Sequence, residues 1–219
     1  MEGPTGPAFS HALRARGLLG RRRHAFETLL FGVYELLGET APAMALSQEA
    51  VRITAGWGEE AVREAGALAA TRLFGSVAPF LRIEMGLHRR AGHLIVLATT
   101  SPEELARPLA AALGFDDVIA TRYGRADGRL DGTIAGRFIW GENKWHAVKE
   151  WSERNDVDLA ASSAYSDSYH DAPLLEGVGF PVAINADPRL LALAWRRGWP
   201  TRSLSEPPPA ADSVARSSN

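Results

Sequence analysis

From about Pro7 to Ala78 apolar residues recur at helical spacing, most clearly Phe26, Leu29, Leu30, Val33, Tyr34 and Leu37. No strand signal interrupts them. Pro42 is expected to break the first pattern, and another helix is expected from about Glu59 to Phe74. From Pro79 onward the pattern changes. Pro79 to Arg90 predicts a helix ending near Gly92, and Leu94-Ile95-Val96-Leu97-Ala98 is a short unbroken apolar run, as a buried parallel strand carries. Ser101-Pro102-Glu103-Glu104 combines an N-cap hydroxyl, a proline at the first helical position and a glutamate three residues after the cap. It predicts a helix running to Leu113 and stopping at Gly114 in a left-handed conformation. Val118 to Thr121 predicts a strand, and Asp127-Gly128 and Asp131-Gly132 predict the turns of a small hairpin. Glu142 to Arg154 reads as a helix, Leu159 to Tyr165 and Pro181 to Asn185 as strands, and Asp187 to Arg197 as a helix.

Strands alternating with helices predict an α/β fold, with a Rossmann-like parallel sheet covered on both faces over residues 79–203. Residues 1–78 form a separate helical unit in this reading. Residues 204–219, with Pro207-Pro208-Pro209 followed by Ala and Ser, read as a disordered tail. Ligands of such sheets bind beyond the carboxyl ends of the strands.

Composition narrows the partners. The formal net charge of -2 gives no electrostatic footprint for a nucleic acid, and Arg21-Arg22-Arg23 reads as a solvated face. With no cysteine in the chain, disulfides and thiolate metal sites are excluded, which suits a reducing cytoplasm. No apolar run reaches the ~20 residues needed for a membrane span. The start, Met1-Glu2-Gly3-Pro4, shows no secretory signal pattern.

The chemistry-bearing residues sit just after the apolar runs. Thr99, Thr100 and Ser101 follow one strand; Ser166, Asp167, Ser168, Tyr169, His170 and Asp171 follow another; Lys144 lies at a helix start. Hydroxyls and backbone N–H groups hold the non-bridging oxygens of a phosphoryl group, a lysine offsets their charge, and carboxylates hold Mg²⁺. Taken singly, each has a plainer reading. Thr99 is equally a strand-end hydroxyl, Lys144 a surface lysine, and Asp167 and Asp171 helix-start carboxylates favoured by the macrodipole. Their ordered combination at strand ends is the more specific signal.

That combination carries a family resemblance. Leu97-Ala98-Thr99-Thr100-Ser101-Pro102-Glu103 resembles the second motif of the phosphoserine-phosphatase-like branch of the haloacid-dehalogenase superfamily. Gly141-Glu142-Asn143-Lys144 resembles its third motif, and Ala164 through Asp171 its fourth. Val182-Ala183-Ile184-Asn185-Ala186-Asp187-Pro188 is similar to the strand that follows. The resemblance covers nearly all of residues 3–202, and the early helical third is similar in position to the branch's cap.

The resemblance implies a two-step, Mg²⁺-dependent hydrolysis of a small or lipid-linked phosphomonoester. An aspartate forms an aspartyl-phosphate, and a second aspartate two residues later manages the proton. Thr99, Thr100, Ser101 and Lys144 would bind the phosphate, Asp167 would bind the metal, and Asp171 would support the metal shell or Lys144. His170 stands where the wider superfamily often has Asn, and a positional or packing role is expected for it. The first motif, Asp-x-Asp-x-Thr, has no counterpart, because no aspartate precedes Asp116. The first core strand and the nucleophile are therefore expected to be absent from this chain. A catalytically inactive phosphate-binding module, or a phosphotransferase on the same scaffold, is the alternative.

Overall fold

The computed structural model describes residues 6–19 and 41–204. The helical pattern of Phe26 to Leu37, Arg21–Arg23 and the tail of residues 205–219 lie outside the described residues. Among the described residues four α-helices come first: α1 (Gly6–Ala15), α2 (Ala41–Ala50), α3 (Glu59–Leu73) and α4 (Pro79–Arg90). The α/β part follows as β1 (Val96–Pro102), α5 (Glu103–Leu113), β2 (Asp117–Thr121), a hairpin β3 (Tyr123–Ala126) and β4 (Arg129–Ile134), and α6 (Glu142–Arg154). Next are β5 (Ser163–Ser166), the short α7 (Ala172–Glu176), β6 (Phe180–Ile184), α8 (Pro188–Arg197) and β7 (Thr201–Arg202). This is the expected Rossmann-like α/β architecture.

Several local expectations are corrected. Pro42 sits in the first turn of α2 as described, where its missing N–H has no partner to lose, and the pattern it was expected to break lies outside the described residues. Pro102 has ψ 142°, still extended, so α5 starts at Glu103 and Pro102 itself is the N-cap. The Ser101 hydroxyl is thus one residue too early to cap it. Asp127 and Gly128 take positive φ values of 52° and 71° and make the tight hairpin turn. Asp131-Gly132 makes no turn; it lies inside β4, where Gly132 at φ 81° approaches the backbone of Arg52. Leu159 to Ala161 winds into a single 3-10 turn because the Asp158 carboxylate accepts from the Ala160 N–H at 2.8 Å, and the strand begins only at Ser163.

The parallel strands form two sheets. β1 pairs with β2, and β5 pairs with β6, which pairs with β7. Among the described residues, no strand lies on the other edge of β1 or of β5. Every residue of β1 is correspondingly half-buried, although its sequence reads as a central strand. Helices join the two sheets: α6 packs on β1 and β2 and also on the 169–171 turn and α7. His88 of α4 shares a 2.8 Å hydrogen bond with the Tyr165 hydroxyl of β5.

The largest apolar cluster lies between α1, α3 and α5, with Phe9, Val62, Leu73, Leu105 and Leu109 buried around Ala65 and Ala69. Leu130 of the hairpin closes it. Small residues let the backbones meet there: a Cβ on Gly66 would stand 2.4 Å from the Glu104 carbonyl oxygen. A second cluster, with Leu175, Ala183, Leu190 and Leu193, fixes α7 and α8 to the β5–β6–β7 sheet.

Candidate active site

The end of β1 leaves its ladder. Thr99 faces Ala120 and Pro102 faces Thr121, so Thr100 and Ser101 form a bulge with no partner on β2. The Thr99 hydroxyl accepts from the Ser101 N–H at 3.2 Å and holds this bulge in shape. The three candidate phosphate-binding hydroxyl residues thus share one irregular strand end.

Lys144 reaches its position through the preceding loop. The fully buried Thr121 hydroxyl accepts from the Ile139 N–H at 3.1 Å, pinning residues 138–140 to the end of β2. Gly141 then turns the chain with φ 56° and ψ -131°, a combination essentially reserved for glycine. The first turn of α6 follows, and it points Lys144 inward. Lys144 is 6% exposed, and its ammonium lies 2.6 Å from Oδ1 and 2.8 Å from Oδ2 of Asp171, itself 7% exposed. Only the contact to Oδ2 has the direction of a hydrogen bond. Oδ2 also accepts from the Ser166 hydroxyl at 2.7 Å, and Ser166 Oγ accepts from the Ser168 N–H at 3.1 Å.

Lys144, Asp171 and Ser166 are therefore one buried, hydrogen-bonded unit joining α6 to the loop after β5. α6, which carries Lys144, also packs on β1, the strand that ends in Thr99, Thr100 and Ser101. Asp167 lies in the same loop, and its carbonyl accepts from the Asp187 N–H at 2.8 Å. The His170 ring packs on Trp140, with centroids 4.5 Å apart. Ser166 and Asp187 had no assigned role in the sequence. Their only signals there are a hydroxyl directly after a strand and a carboxylate directly before a helix-start proline.

Strand alternation sends Tyr165 to the opposite face from Ser166. There burial, reinforced by the nearby Glu84, pushes the Tyr165 phenol up to about 12. Burial raises Glu84, partly offset by Arg202. Burial and then the neighbouring His93 lower His88, whose Nδ1 lies 2.9 Å from that of His93.

Among the described residues, no three carboxylate or histidine groups come together in a way that could hold a metal ion. Asp171 is committed to Lys144 and Ser166, and Asp167 belongs to no group of three metal-ligating side chains among the described residues. By themselves these residues do not fit Mg²⁺.

Residues 1–176 match the family model described as haloacid dehalogenase-like hydrolase. The chain belongs to that family. It is 41% identical over 118 residues to phosphoserine phosphatase SerB1 of Mycobacterium tuberculosis, covering 54% of this chain and 38% of that protein. It is 32% identical over 212 residues to the probable phosphatase Rv3661 of the same organism, covering 94% of this chain and 72% of that one. The matched stretch thus spans well under half of the first relative. Among solved structures, a protein of unknown function from Bordetella pertussis Tohama I superposes with a TM-score of 0.72 at 26% identity, covering 91% of this chain and 92% of that chain. The family's members are hydrolases by description, and the buried lysine–carboxylate unit lies on the family's α/β scaffold.

Proposed function

We propose that this chain carries the phosphate-holding part of a phosphomonoester hydrolase. The observation that carries this reading is the buried Lys144–Asp171–Ser166 unit, whose lysine lies on a helix, α6, that also packs on β1. A lysine ammonium fixed in a desolvated position is a preorganised positive charge for a phosphoryl group, and it needs no reorganisation when charge develops there. The hydroxyls of Thr99, Thr100 and Ser101 would supply directed donors for its non-bridging oxygens, on a strand end shaped by the Ser101 N–H to Thr99 hydrogen bond. Asp171 holds the ammonium in one place, and Ser166 holds Asp171.

None of these residues is placed as a nucleophile, and no Asp-x-Asp-x-Thr string occurs in the 219 residues. We further propose that turnover runs through an aspartyl-phosphate on a strand that pairs with the edge of β1, of β5, or of both, edges that carry no strand among the described residues. Such a strand would bring the attacking and proton-handling carboxylates, and Asp167 would contribute one ligand to Mg²⁺ alongside it. Residues 1–219 alone would then bind phosphate without hydrolysing its esters. The similarity to two named phosphatases supports a small phosphomonoester as substrate.

The test is hydrolysis of p-nitrophenyl phosphate by residues 1–219 and by the same chain with an Asp-x-Asp-x-Thr strand of ~10–15 residues joined ahead of Met1. The expected result is background rate for the first and turnover for the second, with a higher melting temperature. Loss of general acid/base help alone lowers rates by ~10²–10⁴-fold. Equal turnover by both chains would show that the nucleophile is already present. Phosphate binding without turnover in either would favour the non-catalytic module.

A further inference from the structure

We propose that Asp187 is a positioning residue for the candidate site, holding the loop of residues 167–171 in the geometry that presents Asp167 and Asp171. Its consequence for turnover rests on the phosphatase reading above; its consequence for the loop does not.

Asp187 uses its backbone and both carboxylate oxygens, and its carbonyl accepts from the Leu191 N–H at 2.9 Å within α8. Its N–H donates to the Asp167 carbonyl at 2.8 Å. Its Oδ2 accepts from the Tyr169 N–H at 2.6 Å. Its Oδ1 accepts from the N–H groups of Arg189 and Leu190 at 2.8 and 2.9 Å, capping α8. The cap needs only Oδ1. The second oxygen and the main-chain N–H are directed at the loop. Arg189, fixed by the same cap, lays its guanidinium 4.1 Å over the Tyr169 ring and holds that residue from a second side.

Asp187 is itself rigidly placed. Asn185 turns the chain after β6 with φ 47°, donates its N–H to the Arg202 carbonyl at 2.9 Å and accepts from the Leu204 N–H through Oδ1. The turn carrying Asp187 is therefore locked by β7 and by the buried cluster under α8. On one side of the loop, Ser166 is tied to Asp171 and Asp171 to Lys144; on the other, residues 167 and 169 are tied to Asp187. A loop held at one end only would let the Asp171 carboxylate and the Asp167 side chain drift relative to each other. Misplacement of reacting groups by about 1 Å lowers rates by ~10²-fold.

Asp187→Asn separates capping from positioning. Asparagine caps helices as well as aspartate does, so its amide oxygen keeps the Arg189 and Leu190 N–H groups. Its amide nitrogen then faces the Tyr169 N–H, donor against donor. In Asp187→Asn, amide hydrogen exchange of Tyr169 and Asp171 should speed up at least ~10-fold while Leu191 and Leu193 in α8 stay protected, an expectation that follows from losing one local anchor while the helix keeps its cap. In the chain carrying the added strand, kcat for p-nitrophenyl phosphate should fall roughly 10- to 100-fold with KM changed less than about 2-fold. Asp187→Ala should loosen loop and helix together. Unchanged exchange at Tyr169 and Asp171 in Asp187→Asn overturns the proposal, as does parallel loosening of α8 in that variant. If the strand-bearing chain hydrolyses nothing, the phosphatase reading falls, and the exchange result still decides the role of Asp187.

Discussion

Two helix contacts in this molecule are built in opposite ways. Where α3 crosses α5, the surfaces are apolar and small, and backbone nearly touches backbone at Gly66. Where α6 meets the loop after β5, the contact is a buried cation, a buried carboxylate and a buried hydroxyl. The first contact gains stability from close packing and burial of apolar surface. The second places two charges where water cannot reach them, and desolvation offsets much of their attraction. The charged contact therefore brings little net stability, whereas the apolar crossing contributes it directly.

The largest expected effect comes from removing half of the charged contact. Lys144→Met leaves the Asp171 carboxylate buried with only Ser166 to satisfy it, and should lose on the order of 3–5 kcal/mol in urea unfolding. Replacing both partners, Lys144→Met with Asp171→Leu, should recover much of that loss and still bind no phosphate. Equal stability of the single and double variants would erase the distinction between the two contacts.

A smaller effect is expected at the apolar crossing. Gly66→Ala forces a methyl onto the Glu104 carbonyl, and should destabilise by about 1–3 kcal/mol in the same unfolding measurement. Phosphate binding should change little. A neutral result would mean that the two helices can separate freely, against the close-packed reading.

The smallest effect is on pH dependence, at the reverse face of β5. His88 is held below its ordinary value by burial and by His93, so the unfolded chain binds the proton more readily than the folded one. Its contribution to stability is present above the unfolded value near 6.5 and is lost as pH falls through the lower folded value. The melting temperature should therefore drop between pH 7.5 and pH 5.5, and His88→Asn should flatten that drop. An unchanged slope in the variant would assign the effect to other groups.

Much of the local structure was legible from pattern. Pro79–Arg90 and Glu142–Arg154 are helices at the expected residues, and Gly114 ends α5 at φ 80° as its position after an apolar helix implies. These features depend on neighbours a few residues away, and sequence carries that information directly. The strand expected over Leu159 to Tyr165 was misplaced at its start because a side chain, Asp158, outcompeted the extended backbone for local hydrogen bonds. The missing cap at Ser101 has a similar local cause, the extended ψ of Pro102.

The sequence by itself determined the α/β class, the order of elements and the kinds of chemical group that follow each strand, because these depend on periodicity and on residue type. Tertiary structure chose between the two roles the resemblance left open for Asp171, pairing it with Lys144 across 27 positions, made Ser166 the third member, and set the parallel strands in two sheets. It also decided that Asp187 serves both a helix and a loop. The physical reason is common to all four. A buried polar group must find its partner wherever the fold brings one, and a strand edge pairs with whatever strand reaches it, so neither outcome is encoded in local spacing.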